Sequence, residues 1–185
     1  MASFDEYITR MKSVQDQIYY ASGEDRNVLA KSPLVVGLVR KGYEVILCDD
    51  PIDEYVFGVL REYEEKNIVN VGKGDFKMPD DDEFERKKQK FLTKKFEPLI
   101  EYTKKLLYEE VGNVIISNRL TTEPCVVVAD SYGHSSFMDK IQKASMFAGA
   151  NENPVQNFKK ILEINPHHRV IQIILEKINV HDLLS

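Results

Sequence analysis

The chain has 185 residues, 43% hydrophobic and 30% charged, with a net charge of −5. That composition supplies a core and excludes a disordered tail or a collagen-like repeat. No run approaches the ~20 consecutive apolar residues of a membrane span, two cysteines make no disulfide framework, and an acidic balance argues against broad nucleic-acid binding.

Met1-Ala2-Ser3-Phe4-Asp5-Glu6 lacks a basic and then apolar leader, so no signal peptide is expected. Ser3 with Glu6 is a capping box, in which each side chain satisfies an orphan amide of a helix start. Phe4, Tyr7, Ile8 and Met11 then share a helical face. Gln17 to Ala21 predicts a strand and Ser22 to Asp25 a turn. Ser32-Pro33 opens a helix that Gly42 closes. Tyr43 to Cys48 is a nearly continuous apolar run, as in a strand covered on both faces. Pro51-Ile52-Asp53 starts a helix carrying Tyr55, Val56, Val59 and Leu60, and Asn67 to Val71 is the next strand. Alternating strands and helices with short connections predict a parallel βαβ sheet.

Two glycines and a proline in 72–79 interrupt this pattern and place a domain boundary near residue 78. A long charged helix follows. Asp80, Asp81, Asp82, Glu83 and Glu85 stand at its start, and Arg86 to Lys95 supply cations later, an order that suits the helix dipole. Phe84, Phe91, Leu92, Phe96, Leu99, Thr103 and Leu106 form its apolar seam, and Pro98 should kink or split it. Asn113 to Leu120 and Pro124 to Asp130 predict a hairpin across Thr121-Thr122-Glu123. Ser135 to Ala148 is a helix, 149–157 a polar loop, Ile161 to Ile164 a strand and Pro166 to Ile178 a helix with Ile171, Ile174, Leu175 and Ile178 on one side. The expected architecture is α/β and then α+β: a small parallel βαβ sheet, a long helix, and a helix-packed antiparallel sheet.

Chemistry is sparse. Asp49 and Asp50 end an apolar strand, with Asp53 nearby, where α/β folds place ligand and Mg²⁺ sites. They define one alternative, a Mg²⁺-dependent phosphoryl-transfer domain; the plainer reading is helix capping. Gly72-Lys73-Gly74 lacks phosphate-loop spacing. His167 and His168 are adjacent and point to different helix faces, so they make a poor shared metal site. Cys48 and Cys125 both read as small core hydrophobes, and Arg86 to Lys95 as a solvated basic face. The helix from Ser135 carries Phe137, Ile141, Ala144 and Ala148 on one stripe, with Met138, Met146 and Phe147 off it. That surplus suits an adaptable, partly exposed binding surface; ordinary core packing is the simpler reading of the periodicity.

Several runs, in collinear order, carry a further signal. They are Phe4-Asp5-Glu6-Tyr7 through Arg10-Met11-Lys12, Gln15-Asp16-Gln17-Ile18-Tyr19-Tyr20, Lys41-Gly42-Tyr43-Glu44-Val45 and Pro51-Ile52-Asp53-Glu54-Tyr55. They continue as Phe96-Glu97-Pro98-Leu99, Arg119-Leu120 with Pro124-Cys125, Tyr132-Gly133, and Glu163-Ile164-Asn165-Pro166. Together they resemble the heat-shock protein 90 chaperone family, and the runs at 96–99 and 119–125 look most like its endoplasmic-reticulum branch.

The resemblance implies that 1–78 is the last α/β part of a middle domain. It makes 79–185 most of a C-terminal domain, without the terminal dimerisation helices. It implies a non-catalytic segment with no cofactor of its own, since the family's ATP and Mg²⁺ site lies in another domain. The implied partners are client proteins, with co-chaperones, and neither nucleic acid nor membrane. The whole protein would be a homodimer in the endoplasmic reticulum lumen, with the cytoplasm as the alternative, and this segment a monomer. The family's client-contacting helix aligns with Tyr132, His134, Phe137, Met138 and Ile141. His134 stands where the family commonly has Trp, and Gln142 where it has a second Met.

Overall fold

The computed structural model describes residues 3–79, 83–130, 135–147 and 159–184. The helix-start acids Asp80, Asp81 and Asp82, the segment Tyr132 to His134, Ala148 and the polar loop 149–157 lie outside the described residues.

Helix α1 (Phe4–Arg10) begins at the expected capping box. Glu6 N–H donates to Ser3 Oγ at 3.2 Å, and Ser3 N–H donates to Glu6 Oε2 at 3.0 Å. Strand β1 (Gln17–Ser22) follows, and then a short helix α2 (Arg26–Ala30) that the periodicity does not announce. Asp25 caps it, accepting from the N–H groups of Asn27 and Val28. Helix α3 (Pro33–Arg40) starts at Ser32-Pro33 and stops before Gly42, whose φ of +80° continues the chain where a Cβ would strain it.

Strand β2 (Ile46–Cys48) is shorter than the apolar run predicted; Tyr43 instead enters the core ahead of it. Helix α4 (Pro51–Val59) leads to a hairpin of β3 (Glu62–Tyr63) and β4 (Lys66–Asn70). The turn between them holds Glu64 at φ +46° and Glu65 at φ +59°. A two-residue turn of this handedness favours Asn-Gly, so Glu-Glu carries no signal for it. The sheet order is β2-β1-β4-β3, with β1 parallel to both β2 and β4, as expected, and β3 added antiparallel.

Alternation along β1 buries both faces of the first sheet. Tyr19 and Ala21 pack with Leu34, Val35 and Leu38 of α3. Ile18 and Tyr20 pack with Tyr7 of α1, and Phe57 of α4 stacks on Tyr20 with ring centroids 4.5 Å apart.

The long charged helix is two: α5 (Glu83–Lys95) and α6 (Glu97–Leu106), broken at Phe96 with Pro98 in the first turn of α6, where its missing N–H costs nothing. The seam forms from Phe96 onward, with Phe96, Leu99 and Ile100 buried. Phe84, Phe91 and Leu106 are exposed.

Next come β5 (Val111–Ile116), β6 (Cys125–Val128), α7 (Ser136–Phe147), β7 (Lys160–Ile164) and α8 (Arg169–Leu184). The predicted β5–β6 hairpin does not form. The order is β5-β7-β6, with β7 parallel to β5 and antiparallel to β6. Ile161, Leu162, Glu163 and Ile164 of β7 are all buried, which a central strand requires and an edge strand does not. Asn165 ties down the 121–124 connection from the end of β7: its side-chain amide donates to Glu123 O at 3.0 Å and its N–H to Pro124 O at 2.8 Å.

The second sheet is therefore mixed, within the α/β and then α+β architecture expected. One of its faces, with Val114, Ile116, Leu162 and Ile164, packs on Phe96, Leu99 and Ile100 and on Ile171 and Leu175 of α8. Its other face, through Val128 and Ile161, joins Tyr19, Ala21, Leu38 and Val71 of the first half in one cluster.

Candidate functional site

The helix expected to meet other proteins is α7. Among its five candidate residues, Tyr132 and His134 lie outside the described residues. Phe137 is 7% exposed and turns inward, beside Gly23, Val28 and Leu29. Met138 and Ile141 are half-buried. Polar contacts fix the helix from three sides. Ser135 Oγ accepts from Met138 N–H at 2.9 Å and donates to the Glu54 carboxylate of α4. Lys140 pairs with Glu24 at 2.9 Å, and Asp139 pairs with Lys160 of β7.

Glu54 is the hinge point of this arrangement. It is buried, and it also accepts from Ser22 Oγ at the end of β1. With Glu54 and Phe57 on its inner side, α4 turns its apolar stripe the other way. Ile52, Tyr55, Val56 and Val59, at i, i+3, i+4 and i+7, all face solvent, Val59 at 84% exposure. The residues that make α4 read as an amphipathic helix are therefore not its buried face. An acid on the inner face, neutralising no visible partner in sequence, hid this from the pattern.

Asp50 and Asp53, proposed as metal ligands in the alternative reading, form a second capping box. Ile52 N–H donates to Asp50 Oδ1 at 3.1 Å, and Asp50 N–H donates to Asp53 Oδ2 at 3.4 Å. Their oxygens turn to helix-end amides, and among the described residues no group of three His, Cys, Asp or Glu side chains is placed to hold a metal ion. Asp53 and two neighbouring acids also act on Cys48. Burial pushes its thiol pKa up to about 12, and the charges of Asp53, Glu54 and Asp49 add to the shift. Cys125, expected in the core, is exposed, because β6 turns its Cys125 and Val127 side to solvent. His168 Nδ1 accepts from Val170 N–H at the start of α8.

Gly72-Lys73-Gly74 joins the two halves. Gly74 N–H donates to Ala129 O at 2.8 Å and Ala129 N–H to Gly72 O at 3.0 Å. A Cβ on Gly74 would sit 2.5 Å from Ile161 Cδ1. Arg119 closes the same junction. Its guanidinium is sealed from water, donates to Val71 O at 2.7 Å and Lys73 O at 3.1 Å, and is 5.0 Å from the Phe76 ring centroid. Glu163 faces it as a two-point ion pair, and Ser117 Oγ donates to the same carboxylate at 2.9 Å. Nothing in local sequence pattern marks Arg119 or Glu163 as buried; charged residues are rarely fully buried unless paired, and their pairing is visible only in three dimensions. Among the described residues no helix is long and apolar enough to cross a membrane.

A family model described as Hsp90 protein matches residues 1–183. The chain is 42% identical over 179 residues to an Endoplasmin homolog of Hordeum vulgare, covering 96% of this chain and 22% of that protein. Endoplasmin homologs of Catharanthus roseus and Arabidopsis thaliana are 41% and 40% identical over 96% of this chain and 21% of theirs. The chain thus spans about a fifth of the length of the curated relatives it matches.

Proposed function

The chain belongs to the Hsp90 protein family, and we propose that it serves as the part of an ATP-driven chaperone that holds non-native client protein and couples two domains, without chemistry of its own. The observation that carries the client-binding reading is the stripe of Ile52, Tyr55, Val56 and Val59 on the solvent side of α4, the helix that Ser135 and Glu54 fasten to α7. Four large apolar side chains in one exposed helical row are unusual for a surface with no partner and suit weak, sequence-tolerant capture of apolar segments. Half-buried Met138 and Ile141 on α7 extend the reading to the helix that resembles the family's client-contacting segment.

On the same reading, residues 1–78 end a middle domain and 79–185 open a C-terminal domain, joined by their shared core. ATP and Mg²⁺ act elsewhere in the whole protein, which works as a homodimer and receives clients together with co-chaperones. Likeness to endoplasmin homologs supports an endoplasmic-reticulum address.

The test is binding of a permanently unfolded model client, reduced and carboxymethylated lactalbumin, to the chain and to a variant with Ile52→Ser, Val56→Ser and Val59→Ser. Because these side chains are exposed, the variant retains its fold, checked by circular dichroism. Each exposed anchor contributes roughly 1–3 kcal/mol if it is a hot spot, so binding should fall by at least an order of magnitude. Equal binding by the variant would overturn this reading.

A further inference from the structure

The basic stretch of α5 finds its place beside an open sheet edge. Among the described residues, strand β5 is the outer strand of the second sheet and pairs with β7 alone. Ser117 N–H donates to Ile164 O at 2.8 Å, so alternate peptide groups at 115 and 113 also turn toward β7. Those of Val114 and Ile116 turn outward, into a groove of about 1010 Å³ walled by α5 and α6. Two side-chain amides sit at that edge. Asn113 Oδ1 accepts from Val114 N–H at 3.0 Å, and Gln89 Nε2 donates to Ile116 O. They hold the positions that the peptide groups of a neighbouring strand would hold.

The wall carries both signs of charge, with Glu85, Glu97 and Glu101 lining the groove beside its cations. Arg86, Lys90 and Lys94 line the groove at i, i+4 and i+8 of α5, and Lys104 of α6, which pairs with Glu101 at 4.0 Å, lies with them. On the same helix Lys87 pairs with Glu83 and Lys88 with Glu85, whereas Arg86, Lys90 and Lys94 have no carboxylate partner among the described residues. Four helical residues rise about 6 Å, and two strand residues advance about 6.6 Å. Cations on every fourth helical position therefore match side chains on every second position of an extended peptide.

We infer that this groove binds an extended acidic peptide, with Asp or Glu at alternate positions facing Arg86, Lys90 and Lys94, which adds to the outer edge of β5 as a fourth strand. Strand addition gives affinity through the main chain and specificity through alternate side chains. The surface is separate from the solvent stripe of α4, so its test can fail without touching the client-binding reading.

The experiment is fluorescence anisotropy of a labelled peptide of alternating Glu and Val, titrated with the whole chain at low salt. The peptide should bind. Methylating its inward peptide nitrogens removes two edge hydrogen bonds and should weaken binding about tenfold. The variant Arg86→Glu with Lys90→Glu and Lys94→Glu, confirmed folded by circular dichroism, should weaken it at least tenfold. Gln89→Ala, which clears the Ile116 carbonyl, should tighten it. Absence of binding, indifference to N-methylation, weaker binding by Gln89→Ala, or equal binding of a single-stranded oligonucleotide would each overturn the proposal, the last by showing general polyanion attraction.

Discussion

Arg119 Nε meets Glu163 Oε2 at 3.0 Å across 44 residues of chain, and the two side chains are 2% and 3% exposed. Burial makes this pair a poor source of net stability but a costly one to break, because a lone partner keeps its desolvation penalty. Glu163→Gln should lower unfolding free energy by about 3–5 kcal/mol. Arg119→Gln with Glu163→Gln should cost less than the two single changes added, since no uncompensated charge remains. Urea unfolding followed by circular dichroism measures both.

Two helical glycines should respond in opposite directions. A Cβ on Gly37 of α3 would lie 2.2 Å from the backbone carbonyl of Arg119, whereas one on Gly58 of α4 would meet nothing within 4 Å. Gly37→Ala should therefore destabilise by about 1–3 kcal/mol, as overpacking does. Gly58→Ala should stabilise by about 0.5–1 kcal/mol, the helix-propensity difference. Thermal melts of the two variants against the parent chain decide this.

Alkaline stability should fall in a defined window. Burial raises the Cys48 thiol from 9.0 to about 12 and the Tyr20 phenol from 10.0 to about 12. Both groups hold their protons more tightly folded than unfolded. Their contribution is complete below pH 9, and it is lost as pH climbs toward 12, because only the unfolded chain ionises freely in that range. The urea midpoint should decline from pH 9 upward, less so in Cys48→Ala after correction for its baseline loss. Thiol alkylation at pH 8 should label Cys125 rapidly and Cys48 only on unfolding, given their opposite exposure.

Phe137 and Val59 separate packing from surface. Phe137→Ala removes a buried ring and should cost about 3 kcal/mol. Val59→Ser, on an exposed position, should change stability by less than about 0.5 kcal/mol. A Phe137 variant is thus a poor probe of client binding, because lost capture would report lost packing.

Much of the fold was legible where local chemistry decides it. The Ser3–Glu6 box, the Ser32-Pro33 start, the break before Pro98 and the parallel β1–β4 pairing all follow from caps, proline geometry and alternation. The failures share a cause. The β5–β6 hairpin is the natural reading of two strands near in sequence, yet β7 from 32 residues beyond β6 lies between them. Nothing in the local pattern marks Glu54, Arg119 and Glu163 as buried, because their partners are remote in sequence. The outward face of α4 was missed for the same reason: the pattern names an apolar stripe without saying which way the stripe points. Family resemblance located α7, but the burial of Phe137 is a property of this packing alone.

The order of the second sheet also constrains how the chain can assemble as it is synthesised. Its central strand is the last to be made, so β5 and β6 leave the ribosome with no ladder to join until Ile164 has emerged. Arg119 likewise waits without its counter-charge until Glu163 appears. Through that interval the first sheet can close on β1 and β4 but lacks the Val128 and Ile161 side of its core, leaving an apolar face that a nascent chain must shield before the two halves lock together.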